Sequence, residues 1–389
     1  MATPERIVIA GGGVAAQRCA FKLRELGFDG TLTMVCGEAS APYDRTLLSK
    51  DLLAVEPPSI ELTLEPAPAY GEAGIELRLD TRATGLDPHA RRLRLEGGDE
   101  TPFDKLVICT GGTAQRPRAL VAPGTLVLRE LADVAALRDA LDACERLIVI
   151  GGGFIGGEVA SSAAARGLAV TMIEALPAPL AGALGPEVGA RVASLHESEG
   201  IEVLAGTAAH GCAESANGYE VTLEDGRVIR GDAVVLGAGM APATEWLAGS
   251  GVELDDGIVT DAGCQTSAPD VLAAGDCARW WNPRYATHMR VEHWDTAGRH
   301  GATAAAAALG EEVVFAPIPF FWSDQHGVKL QYVGYAPTWD DVQIDDLDPP
   351  RSFVARYQRD GELKAVFAAS QPRAIAAARR ELAATERTI

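Results

Sequence analysis

Two hydrophobic patterns alternate through most of the chain. Short, predominantly apolar runs occur at Arg6–Ala10 (RIVIA), Thr31–Val35, Lys105–Thr110 (KLVICT), Leu147–Ile150, Ala233–Leu236 (AVVL) and Asp270–Ala274. Runs of this kind read as strands buried on both faces, the habit of a parallel sheet. Between them lie stretches with helical spacing. One runs from Gly13 to Leu26 and stops at Gly27, a natural residue for the turn after a helix. Another follows Leu147–Ile150, and an alanine-rich one ends near Leu309. Asp80–Leu95 alternates apolar and polar residues and predicts a small β excursion. Ile201–Ala205 and Tyr219–Leu223 predict further β segments, with Asp225-Gly226 turning a hairpin. Ser49 is placed to cap a short helix. From Pro319 the pattern changes to short strands (FFWSDQ, VKLQYVGY, SFVARYQRDGELKAVF). Asp360-Gly361 supplies a last hairpin turn, and Ile375–Ala384 a closing helix.

Two strand-to-helix joins carry glycine patterns with a chemical meaning. In LIVIGGGFIGGEVASSAAARGLAVTMIE, Gly151, Gly153 and Gly156 form G-x-G-x-x-G after a strand and before a helix. The first glycine permits the tight turn, the second admits a pyrophosphate to the backbone, and the third lets helix and strand approach. Helix amides and the helix dipole then favour the phosphates. Glu174 closes the next strand, where a carboxylate can accept hydrogen bonds from an adenosine ribose. No arginine follows it before Arg191, so the usual clamp for a 2′-phosphate is missing and NADH is the expected coenzyme. The N-terminus repeats the design with Gly11, Gly13 and Ala16, followed by Thr31–Val35 and Glu38. Asp276 ends a later strand, placed to meet a ribityl chain or pyrophosphate; a simple helix cap is the alternative. The expected architecture is α/β: two Rossmann-type dinucleotide-binding domains and a small C-terminal α+β domain. Residues 1–112 and 237–318 make up the first nucleotide domain, 113–236 the second and 319–389 the third.

Composition narrows the picture. A chain of 389 residues, 47% hydrophobic and 23% charged, can build full cores. The formal charge of −20 argues against nucleic acid and anionic membrane as partners. No apolar run reaches the roughly 18 residues of a membrane span, and the first strand begins too early for a signal peptide, so a cytoplasmic protein is expected. The seven cysteines (Cys19, Cys36, Cys109, Cys144, Cys212, Cys264 and Cys277) contain no C-x-x-C pair, and neither a metal site nor a disulfide framework is expected.

Five stretches are more specific than either glycine motif: PYDRTLLSKDLL (42–53), GGGFIGGE (151–158), AAGDCARWWNP (273–283), RVEHWDTAGRHG (290–301) and PFFWSDQ (319–325). Their order resembles the oxygenase-coupled NADH:ferredoxin reductases, flavoproteins of the glutathione-reductase structural class. The resemblance covers nearly the whole chain. It implies FAD in the first nucleotide fold, NADH in the second, and a one-electron [2Fe–2S] ferredoxin that serves a terminal oxygenase. It further implies that Arg45 and Lys50 lie at the FAD, with Glu158 paired to Lys50 and facing the nicotinamide. By the same resemblance Asp276 meets the ribityl–phosphate region, and Glu292, Trp294 and Trp322 lie near the ring. Two departures stand out: Thr46-Leu47 where the family usually has two prolines, and His300 where it often has glutamine.

In such a relay Lys50 would offset negative charge on the reduced ring while Glu158 holds it. An ordinary ion pair is the competing reading, as ordinary core packing is for Trp322. Arg284, Arg290 and Arg299 are candidates for a basic docking rim. The nearest other enzymes are a rubredoxin reductase and an NADH oxidase, peroxidase or disulfide reductase; the latter group needs a cysteine where this chain has PYDRTLLSK. An NADH-sensing flavoprotein of the apoptosis-inducing-factor type is the alternative of another class. Nothing in the short C-terminal domain requires an obligate dimer, so a monomer or weak dimer is expected.

Overall fold

The computed structural model describes residues 4–56 and 59–384. The chain forms two compact units. One draws on Met1–Asp44, Glu61–Thr113 and Ala241–Pro319; the other on Arg45–Ile60, Ala114–Met240 and Phe320–Ile389.

The first unit is built on a five-stranded parallel sheet. Its order is Val271–Ala273, Lys105–Ile108, Arg6–Ala10, Thr31–Val35, Ile75–Arg78. Ile7, Ile9, Met34 and Val107 project to one face, where the helices Val14–Glu25 and Trp294–Ala308 cover them. Small residues make that layer thin: a Cβ on Gly301 would lie 2.0 Å from the Ala15 carbonyl oxygen. Val8, Ala10, Leu106 and Ile108 project to the other face and share a core with Leu86, Leu93 and Leu95 of a three-stranded antiparallel sheet (Ala83–Asp87, Arg92–Leu95, Glu100–Pro102). The aromatic stretch near residue 280 is a strand, Ala278–Asn282, and the buried Trp280 packs against both His300 and Phe315.

The second unit holds a four-stranded parallel sheet in the order Glu202–Ala205, Ala169–Glu174, Arg146–Ile150, Ala233–Leu236. The helix Phe154–Ala165 follows the second glycine turn. A five-stranded antiparallel sheet runs in the order Phe320–Gln325, Val328–Gly334, Glu362–Ala369, Ser352–Arg359, Asp341–Asp348. This sheet does not keep its core to itself. Leu330, Phe353, Tyr357 and Phe367 pack with Leu184, Val188, Val192 and Leu195 of the segment that includes the helix Pro186–Ser198. The Tyr357 hydroxyl also donates to the Leu184 carbonyl at 2.7 Å.

Three local outcomes differ from the sequence reading. Ser49 caps nothing: the short 3-10 helix Asp51–Leu53 begins at Lys50 without a side-chain cap, and the Ser49 hydroxyl points elsewhere. Ala209–Ser215 and Asp341–Asp348 are strands that the apolar pattern does not predict. Both are polar because they are edges, and Asp341–Asp348 is mostly exposed, with Asp345 and Asp346 paired to Arg356 and Arg191. Charged edges of this kind resist pairing with other chains.

Candidate nucleotide and electron-transfer site

The second glycine turn is close-packed on its inner side and open on its outer side. Gly151 has φ 106°, and a Cβ there would sit 2.2 Å from the Gly237 carbonyl oxygen. A Cβ on Gly156 would sit 2.0 Å from the Gly151 oxygen, whereas one on Gly153 would meet nothing within 4 Å. The helix Phe154–Ala165 starts with no side-chain cap and no acidic residue in its first turn. Its leading amides and its dipole therefore face open space, which suits a pyrophosphate. Glu174 is held firmly beside the turn. One carboxylate oxygen accepts the Gly152 N–H at 2.7 Å and the other the Leu176 N–H at 2.8 Å.

The first unit repeats this arrangement. Gly11 has φ 139° and is pressed against the Cys109 carbonyl, Gly13 is open, and Ala16 is buried against the sheet. The helix Val14–Glu25 is again uncapped with no acid in its first turn. Glu38 accepts the Tyr43 hydroxyl at 2.6 Å. Both turns thus fit the phosphates of a dinucleotide. Cys36 lies beside the first turn, but burial and the nearby Glu38 push its thiol up to about 12. A thiol held in its protonated form is a poor nucleophile. Among the described residues, no three His, Cys, Asp or Glu side chains gather as a metal site.

Glu158 is 3% exposed and carries several hydrogen bonds. Its Oε1 accepts the Lys50 ammonium at 2.9 Å, the Ser323 hydroxyl at 2.6 Å and the Asp324 N–H at 3.4 Å. Its Oε2 accepts the Ser49 hydroxyl. Lys50 also donates to the Thr46 carbonyl at 3.0 Å. Desolvating a carboxylate is costly unless donors replace water, and here four do. The first turns of the glycine helix place Glu158, and the segments around residues 49 and 323 close over it. Ser49, Ser323 and Gln325 were not among the sequence candidates. The LSK and WSDQ motifs contained them, but spacing alone does not show that residues 165 apart touch.

The other candidates are distributed as follows. Arg45 donates to the Arg129 carbonyl at 2.8 Å in the second unit. Trp322 lies in the strand Phe320–Gln325 near Phe320, their rings 6.0 Å apart. In the first unit Glu292 pairs with Arg290 at 2.7 Å, and Trp294 opens the helix Trp294–Ala308. Asp276 follows the strand Val271–Ala273, and its carbonyl accepts from Arg290 at 3.5 Å. Arg290 also binds Asp256 at 3.1 Å, its side chain only 12% exposed, so it ties the fold together instead of standing in a free basic rim. Arg299 pairs with Asp295 at 3.6 Å and Arg284 donates to the Ala316 carbonyl at 2.9 Å. His300 is a core residue. Its ring stacks on Phe315 at 4.3 Å, its Nδ1 accepts the Gly275 N–H at 3.2 Å, and burial pushes it down to about 3.

Comparison with known proteins agrees with this construction. A family model described as pyridine nucleotide-disulphide oxidoreductase matches residues 5–301, and one described as reductase C-terminal matches residues 320–388. The 5,5'-dehydrodivanillate O-demethylase ferredoxin reductase subunit of Sphingobium sp. (strain NBRC 103272 / SYK-6) is 37% identical, over 92% of this chain and 88% of its own. The ferredoxin–NAD(+) reductase component of the anthranilate 1,2-dioxygenase system of Burkholderia cepacia is 35% identical, over 97% and 94%. The crystal structure of a covalent putidaredoxin reductase–putidaredoxin complex matches with a TM-score of 0.92 at 29% identity, covering 97% of this chain and 93% of that one.

Proposed function

We propose that this chain, which belongs to the pyridine nucleotide-disulphide oxidoreductase family, takes electrons from NADH and passes them through FAD to a [2Fe–2S] ferredoxin that serves an oxygenase. FAD, when bound, converts the two-electron equivalents of NADH into single electrons that an iron–sulfur partner can accept. The chain's own residues bind, orient and balance charge. The turn at Gly11 and Gly13, with Glu38, holds the flavin nucleotide; the turn at Gly151, Gly153 and Gly156 holds NADH. Glu174 takes the ribose hydroxyls and repels a 2′-phosphate. Lys50 sets a positive charge at the reacting ring, and Glu158 keeps it there. By the family resemblance, Arg45, Asp276, Glu292, Trp294 and Trp322 are assigned to flavin binding. The protein works in the cytoplasm, where its thiols stay reduced, as a monomer or weak dimer.

The single observation that carries this reading is the lysine–carboxylate pair beside the glycine turn. Exposed ion pairs rarely contribute more than ~1 kcal/mol. This one is buried with three further donors on its carboxylate, two of them from the strand that also carries Trp322. The test is Lys50→Met. The variant is expected to retain FAD and to bind NADH normally, while its flavin is reduced at least tenfold more slowly in the stopped flow. Wild-type reduction by the variant would overturn the assignment. Titration with a rubredoxin in parallel separates the ferredoxin reading from its nearest rival.

A further inference from the structure

We propose that Ser323 and Ser49 are positioning residues for the Glu158–Lys50 pair, and that Gln325 fixes the direction of the Ser323 hydroxyl. The inference rests on the assignment of Lys50 to the flavin.

A hydroxyl has one proton to give. Ser323 is 0% and Ser49 1% exposed, so neither can turn to water. The Gln325 Nε2 donates to the Ser323 oxygen at 3.1 Å and occupies a lone pair there. The Ser323 proton is thereby directed to Glu158 Oε1. On the opposite carboxylate oxygen, Ser49 gives its proton to Oε2. Donors on both oxygens fix the rotation of the carboxylate, which a single lysine contact on Oε1 cannot do. With the carboxylate locked, Lys50 is confined between Glu158 Oε1 and the Thr46 carbonyl.

Each serine is in turn held by the helix that carries Glu158. The Ser162 hydroxyl donates to the Ser49 carbonyl at 2.8 Å, which ties down the chain around Ser49. The Ser161 hydroxyl oxygen accepts the His326 N–H at 2.7 Å, which ties down the end of the strand Phe320–Gln325. That strand can come so near because residue 157 has no side chain: a Cβ on Gly157 would lie 2.8 Å from Gln325 Nε2. Beyond Gln325 the buried His196 pairs with His326, nitrogen to nitrogen at 2.9 Å. Two stretches distant in sequence thus meet on the carboxylate of a third, each anchored to its helix by a second bond.

The experiment uses the FAD-loaded protein and four readouts: FAD content, the dissociation constant for NADH, the rate of flavin reduction, and the flavin midpoint potential. Ser323→Ala is expected to slow reduction about tenfold, the size of losing one hydrogen bond to a charged group. FAD content and NADH affinity should stay within about twofold, and the potential should move in the direction that Lys50→Met moves it. Ser49→Ala should act in the same sense, and Ser323→Thr, which keeps the hydroxyl, should restore most of the rate. In a Lys50→Met background, Ser323→Ala should add nothing. If Lys50→Met slows reduction but both alanine variants keep wild-type rates and potentials, the positioning role is overturned and the Lys50 assignment stands. An equal loss from Ser323→Ala with or without Lys50 overturns it as well. If Lys50→Met itself has no effect, the underlying assignment fails first. Should Ser323→Ala not accumulate as folded protein, Ser49→Ala and Gln325→Leu decide the matter by the same readouts.

Discussion

Under the proposed function, Glu174 is the carboxylate that sets coenzyme choice. Two backbone N–H groups hold it at 2.7 and 2.8 Å, so it cannot swing aside to admit a 2′-phosphate. Glu174→Ala removes both the repulsion and an acceptor for the ribose. The expected outcome is a rise of about tenfold in KM for NADH and a shift of the kcat/KM ratio toward NADPH, each factor of ten being about 1.4 kcal/mol. An unchanged ratio contradicts the role. Glu158 differs because burial dominates. Glu158→Ala leaves Lys50, Ser49 and Ser323 without their acceptor, and breaking a buried pair in this way costs about 3–5 kcal/mol. A clear fall in Tm is expected on thermal unfolding. The positions of Glu174 and Glu158 relative to their glycine turns were legible in the sequence. Ser323 was not, because its contact depends on the register of a strand that only the folded chain brings to the helix.

At the scale of elements, the glycine turns divide into positions that serve folding and positions that serve binding. Gly156→Ala forces a methyl group to within 2.0 Å of a carbonyl oxygen, and overpacking of that kind costs about 1–3 kcal/mol. The variant is expected to show a lowered Tm. Gly153→Ala meets no protein atom within 4 Å, so Tm should hold while NADH affinity falls about tenfold, since the methyl group stands where the phosphates approach. Calorimetry with and without NADH separates the two cases; equal losses of stability would contradict the division. Strands with an apolar core such as Arg146–Ile150 announced themselves through their composition. The polar edge strands Ala209–Ser215 and Asp341–Asp348 did not, because too few apolar residues alternate in them to stand out from a polar loop. Ser49 read as a cap for the same local reason: a serine before a short helix looks alike whether it faces the helix amides or a carboxylate from another segment.

For the molecule as a whole, buried histidines tie stability to pH. Burial pushes His196 and His300 down to about 3 and His293 to about 4. The unfolded chain takes up protons on these rings near the ordinary value of 6.5, and the folded chain does so only far lower. Their contribution is therefore complete above about pH 6.5 and is lost as pH falls toward 4 and below. His300→Gln keeps an acceptor for the Gly275 N–H and removes one titrating ring. Tm measured from pH 7 to pH 4.5 should fall less steeply in the variant than in the parent, and parallel curves would contradict this. The two nucleotide folds were legible in the sequence because each repeats strand, glycine turn, helix and acid in order. The sharing of a core between the C-terminal sheet and the helix Pro186–Ser198 was not, since both surfaces look like ordinary apolar faces until they meet.

A chain that oxidises NADH and releases the electrons singly to a ferredoxin must do so from the reduced flavin. Anaerobic stopped-flow mixing of the NADH-reduced, FAD-loaded protein with a [2Fe–2S] ferredoxin, following the absorbance of both, tests it most directly. The predicted result is rapid flavin reoxidation, with one ferredoxin reduced for each electron that NADH supplied and no comparable transfer to a rubredoxin. A flavin that remains reduced in the presence of excess ferredoxin would contradict the account.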